Sequence, residues 1–155
     1  MIDYQRTYHT GIRVPDLDAA MAEIGEGLGV TWAGVRENAE QSVWTPTDGL
    51  RRVPLRYVYS CEGPQHIELL ESPPGSPWHA GDQPGVHHVG VWVDDVNTET
   101  QRCVELGWQV AAAQSSPDEG YGLFTYVVPP SGSIIELVSG AMEPAFEEWW
   151  AAGLA

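Results

Sequence analysis

His9-Thr-Gly-Ile-Arg-Val-Pro-Asp-Leu-Asp18 and His88-Val-Gly-Val-Trp-Val-Asp-Asp-Val-Asn97 are two versions of one pattern. In a common register His9 stands over His88, Gly11 over Gly90, Val14 over Val93 and Asp16 over Asp95. A second matched pair follows, Ile67-Glu68-Leu69 in the first half and Ile135-Glu136-Leu137 in the second. Each half therefore supplies one strand that carries a His and a later strand that carries a Glu. Two His and two Glu in pseudo-symmetric positions are a candidate divalent-metal site.

Tyr8–Val14 alternates as a strand does, with His9, Gly11 and Arg13 on one face. Pro15-Asp16 opens a helix over about 16–27, with Leu17, Met21 and Ile24 on one stripe, and Gly25, Gly27 and Gly29 end it. A short strand is expected near 42–46, then an irregular stretch rich in Thr, Pro, Asp and Gly. Pro54–Ser60 and His66–Leu70 read as strands. Tyr57 shares a face with Leu55 and Tyr59, and His66 with Glu68. Four prolines between Ser72 and Gly85 mark a loop. The order then recurs: strand His88–Val93, helix Val96–Leu106, and strands near 108–112, 123–128 and 133–138. A last helix near 143–152 carries Phe146, Trp149 and Trp150. The His-to-Glu separation is longer in the first half than in the second, which places extra loop around Arg36–Val53.

The fold expected is α+β: two tandem βαβββ modules forming a cupped mixed sheet with helices outside. Repeats of this kind usually bury a shared core. Residues 1–155 are read as one domain, with module one at about 5–72, a linker at about 73–85, module two at about 86–140 and a C-terminal helix at about 143–152. A chain of 155 residues, 43% of them apolar, suits that size.

Composition narrows the function. Net charge is −15 and all seven cations are arginine. With no lysine, Schiff-base chemistry is excluded. The acidic balance argues against non-specific nucleic-acid binding, which needs phosphate neutralisation. No apolar run approaches a membrane span, and Met1–Arg6 lacks a signal-peptide pattern. A soluble cytoplasmic protein is the expectation, with no membrane or nucleic-acid partner. Cys61 and Cys103 sit in no metal-type spacing and read as free thiols. Seven tryptophans suggest an aromatic-friendly pocket alongside a core.

Four segments carry a family resemblance: His9-Thr-Gly-Ile-Arg-Val-Pro-Asp-Leu-Asp18, His66-Ile-Glu-Leu-Leu70, Val86-His-His-Val-Gly-Val91 and Ile134-Ile-Glu-Leu-Val138. Together, in this order, they resemble the vicinal oxygen chelate (glyoxalase / bleomycin resistance / dioxygenase) superfamily. The His87-His88 pair brings the chain nearest the glyoxalase I / methylmalonyl-CoA epimerase branch. The resemblance implies ligands His9, Glu68, His88 and Glu136 around one divalent ion, with Zn, Ni, Co, Mn, Fe and Mg not distinguished. His88 is preferred to His87 because it aligns with His9. The resemblance also implies Glu136 as the catalytic base, with Glu68 returning the proton. Arg13, Trp92, His66, Tyr57 and Tyr126 are candidate substrate-binding residues, and Tyr59 and Phe124 are further candidates for lining the pocket.

The function implied is a divalent-metal-dependent isomerase, epimerase or lyase that abstracts a proton alpha to a carbonyl or thioester. Two alternatives are a non-catalytic protein sequestering an apolar or aromatic small molecule, and an iron-dependent ring-cleaving dioxygenase. The dioxygenase uses two His and one carboxylate with open positions, so a fourth protein ligand at Glu68 weighs against it. A small-molecule ligand and a homodimer are expected partners. A cluster of Arg36, Arg51, Arg52 and Arg56 is a candidate for meeting an anionic substrate.

Overall fold

A computed structural model describes all residues, Met1–Ala155. The first half folds as β1 (Thr7–Arg13), α1 (Leu17–Leu28), β2 (Arg36–Thr45), β3 (Gly49–Tyr59) and β4 (His66–Glu71). The second half folds as β5 (Gly85–Val93), α2 (Val96–Glu105), β6 (Gln109–Ala113), β7 (Phe124–Val128) and β8 (Ile135–Ser139), and α3 (Glu143–Gly153) follows. The fold is α+β, and the βαβββ order occurs twice. No helix is long and apolar enough to cross a membrane.

The repeated Asp has a local task. Asp16 Oδ1 accepts the Ala19 N–H at 2.8 Å, and Asp95 Oδ1 accepts the Thr98 N–H at 2.7 Å. Each is the N-cap of its helix and satisfies a donor that the helix cannot. In α1 the Leu17 N–H is also taken, by Glu71 Oε2 at 2.6 Å. The αL residue Gly29, φ +70°, closes that helix.

The chain divides into two compact units. One comprises Tyr8–Gln41, Val53–His87 and Pro144–Ala155; the other comprises Met1–Thr7, Ser42–Arg52 and His88–Glu143. In the first unit β4 runs parallel to β1 and antiparallel to β3. On one face of these strands α1 packs into a core of Val14, Leu17, Ala20, Val58 and Leu69. In the second unit β8 runs parallel to β5 and antiparallel to β7, which pairs with β6. Its core unites Val91, Val93, Val96, Cys103, Ala113, Tyr121, Val127 and Leu137.

The stretch expected to be mostly irregular around Arg36–Val53 is a long hairpin instead. Strand β2 starts at Arg36 and β3 at Gly49, around a turn where Thr45 Oγ1 accepts the Asp48 N–H at 3.1 Å. Residues 37–40 are exposed, so no apolar alternation marks them as a strand. Backbone pairing, not burial of one face, forms β2 there.

In the second unit Thr100 of α2 and Thr125 of β7 share a hydrogen bond of 2.7 Å, and both residues are fully buried. Thr100→Val leaves the Thr125 hydroxyl without that partner, and a loss of about 1–3 kcal/mol is expected. The double variant Thr100→Val/Thr125→Val is expected to recover much of it, because no buried hydroxyl remains. Urea titration of the four proteins checks this, and strict additivity would contradict it.

Candidate metal centre

Strand register explains how each half makes its pair. In the first unit Gly11 on β1 lies beside Glu68 on β4. His9, two residues before Gly11, projects from the same face. Gly11 has no side chain to fill that face, and His9 Nε2 lies 3.3 Å from Glu68 Oε2. The second unit repeats this arrangement. Gly90 lies beside Glu136, and His88 Nε2 is 3.2 Å from Glu136 Oε2. Leu69 and Leu137, next in sequence to the carboxylates, turn the other way into the two cores.

An aromatic ring completes each pair. Tyr59 lies opposite Glu68 in the β3–β4 register, with its ring 5.3 Å from that of His9. Tyr126 lies opposite Glu136 in the β7–β8 register, with its ring 4.9 Å from that of His88. Both tyrosines are among the lining residues that the sequence offers, beside Tyr57 and Phe124. Each tyrosine precedes its glutamate by a nearly equal spacing.

All four candidate ligands are buried. An ionised carboxylate taken out of water is costly unless a cation or strong donors meet it. The histidine side chains are wholly buried, and those of Glu68 and Glu136 are only 7% and 10% exposed. Two imidazoles and two carboxylates, with no thiolate, form a donor set that suits a hard or borderline divalent ion. His9 and Glu68 supply one imidazole and one carboxylate of this set, and His88 and Glu136 supply the other two. The cysteines offer no rival site. Both are buried and free, and burial pushes both thiols above their ordinary range.

The candidate substrate residues are placed differently from one another. Arg13 is half-buried, and its Nη1 donates to the Pro77 carbonyl at 3.4 Å. Trp92 is buried on β5, on the face that His88 uses. Tyr57 is half-buried, with its ring 5.8 Å from that of Trp149 on α3. His66 is buried, its Nδ1 donates to the Ser60 carbonyl at 2.7 Å, and its ring stacks on Trp150 at 3.7 Å. Burial lowers its pKa, opposed by the Ser60 carbonyl and aided by nearby His9. These contacts give His66 a packing task against α3.

Residues 8–126 match the Glyoxalase/Bleomycin resistance protein/Dioxygenase superfamily, and the chain belongs to it. No curated protein matches the chain. Among solved structures, a variant of Streptomyces coelicolor methylmalonyl-CoA epimerase in complex with 2-nitronate-propionyl-CoA is similar. It shares 24% identity and a TM-score of 0.61, over 88% of this chain and 94% of that one. Methylmalonyl-CoA epimerase from Mycobacterium tuberculosis shares 20% identity and a TM-score of 0.62, over 90% and 91%. A hypothetical protein from Bacillus halodurans shares 20% identity and a TM-score of 0.63, over 86% and 92%. At these identities the likeness is one of fold.

Proposed function

We propose that this protein is a metal-dependent isomerase, epimerase or lyase that removes and returns a proton alpha to a carbonyl or thioester. His9, Glu68, His88 and Glu136 would hold one divalent ion. The observation that carries the reading is the duplicated pair: a buried imidazole 3.2–3.3 Å from a buried carboxylate, at the same repeat position in each half. When bound, the ion supplies Lewis-acid stabilisation of the negative charge that develops on the carbonyl oxygen.

The protein's own groups do the rest. Glu136 takes the proton from the alpha carbon onto a carboxylate oxygen, and Glu68 delivers one in return. Tyr59 beside His9 and Tyr126 beside His88, both nearly inaccessible, would keep bulk water from the reacting carbon. The fold likeness to an epimerase solved with an acyl-CoA analogue supports a thioester as the first substrate class to try.

The test is metal analysis of protein purified without added metal or chelator, beside His9→Ala and His88→Ala variants. About one divalent ion per chain in the parent, lost in both variants, is expected; structural zinc sites show how completely such binding depends on its ligands. Solvent-deuterium incorporation into carbonyl and thioester compounds then identifies the substrate class. A parent that holds no metal and takes none up on titration would overturn the metal centre and favour a binding protein of the same fold.

A further inference from the structure

All seven cations of this chain are arginines, set against 22 carboxylates. Six are engaged by protein groups. Arg6 meets Asp94 and Glu143, Arg51 meets Asp48, and Arg102 meets Glu99. Arg56 meets Glu37, Glu71 and Asp18. Arg13 donates to Pro77, and Arg52 has partners of its own. Arg36 is the exception, with no hydrogen bond or ion pair from any protein group. Its sequence neighbour Glu37 turns to Arg56 at 2.8 Å instead.

Arg36 is nevertheless held. Its guanidinium carbon lies 3.6 Å from the ring centre of Trp149 and 5.5 Å from that of Phe146. The indole is itself fixed, because Trp149 Nε1 donates to the Gly34 carbonyl at 2.9 Å. Tyr57 and Tyr59 pack their rings edge-on to it at 5.8 and 5.5 Å. A guanidinium stacked on an aromatic face keeps its in-plane N–H groups for an oxyanion, which it can grip through two bonds at once. Stacking also restrains the long side chain before any ligand arrives, which lowers the ordering cost of binding. The platform adjoins the centre, for Tyr59 touches both Trp149 and His9.

We infer that Arg36, seated on Trp149, is a subsite for an anionic group, carboxylate or phosphate, at one end of the ligand. The inference rests on the proposed function only for what happens at the ligand's carbonyl end. Of the four arginines that the sequence offered for this role, Arg56 and Arg51 are occupied by carboxylates and Arg36 is not.

The test compares three probes: propionyl-CoA, its uncharged analogue propionyl-N-acetylcysteamine, and methylmalonate. Binding is read by calorimetry and by quenching of tryptophan fluorescence, in parent, Arg36→Met and Arg36→Lys. Met keeps an unbranched stem for the indole and removes the charge. The parent is expected to bind an anionic probe more tightly than the uncharged thioester, with affinity that falls as salt rises. Arg36→Met is expected to lose about 10-fold or more of that affinity, with Arg36→Lys intermediate and the uncharged probe unaffected. A loss confined to propionyl-CoA assigns the subsite to phosphate, and one confined to methylmalonate assigns it to carboxylate. Unchanged anion affinity in Arg36→Met, or no preference for anionic probes in the parent, overturns the inference. Metal content and near-UV circular dichroism are measured on the same samples. A parent without metal that still shows the Arg36 effect retires the metal reading and keeps the subsite.

Discussion

Glu136→Gln is expected to slow exchange of the alpha proton by about 10²–10⁴-fold, the usual worth of a positioned general base. That range corresponds to about 2.7–5.4 kcal/mol of barrier. Gln keeps the size of the side chain and an oxygen that can ligate a cation, but it cannot carry the proton. The partner variant, Glu68→Gln, makes the test sharper. If Glu136 removes the proton and Glu68 returns it, the two variants fail on opposite stereoisomers of a chiral substrate. Deuterium wash-in followed separately for each stereoisomer, with metal content measured in parallel, reads this directly. Exchange at the parent's rate in both variants would remove the two carboxylates from the chemistry. Each of the two carboxylates accompanies a His at 3.2–3.3 Å, at the same repeat position.

Leu69→Ala and Leu137→Ala are each expected to cost about 2–5 kcal/mol of stability. Both leucines are completely buried, one in each core, and they directly follow Glu68 and Glu136 in sequence. Truncation loses the transfer energy of the removed carbons and leaves a cavity that the surrounding strands and helix fill only in part. Against a total stability of about 5–15 kcal/mol for a typical domain, either change is severe. Leu69→Met, which nearly conserves volume, is expected to cost less than about 1.5 kcal/mol. Urea midpoints at constant m-value measure all three variants, and a loss below about 1 kcal/mol from both alanine variants would contradict this account of the cores. Because adjacent strand residues face opposite ways, molecules of Leu69→Ala that remain folded should still bind metal.

Much of the site was legible because its signals are local and repeat. A strand that carries His, then Gly two residues on, puts both on one face whatever the chain does elsewhere. Asp16 and Asp95 announce helix starts through a hydrogen bond that spans three residues. Glu68 and Glu136 stand out as polar residues between apolar neighbours that point away from them. Tyr59 and Tyr126 were legible only as lining candidates, because their meeting with His9 and His88 depends on how β3 aligns with β4 and β7 with β8, and register leaves no mark in a tyrosine's own surroundings.

The duplication, the two βαβββ modules and the four candidate ligands can be read from residue order alone, since periodicities of two and near four residues and a repeated register survive without knowledge of distant contacts. The remaining features depend on contacts between distant parts of the chain. Polar residues 37–40 join a strand through backbone pairing that side chains do not advertise. His66 goes beneath Trp150, and the Trp149 indole reaches a carbonyl 115 residues earlier in the chain. Arg36 stays unpaired while Arg56 gathers three carboxylates. Which charges meet, and which one is left over, depends on the three-dimensional placement of long, freely rotating side chains, and no local pattern encodes that.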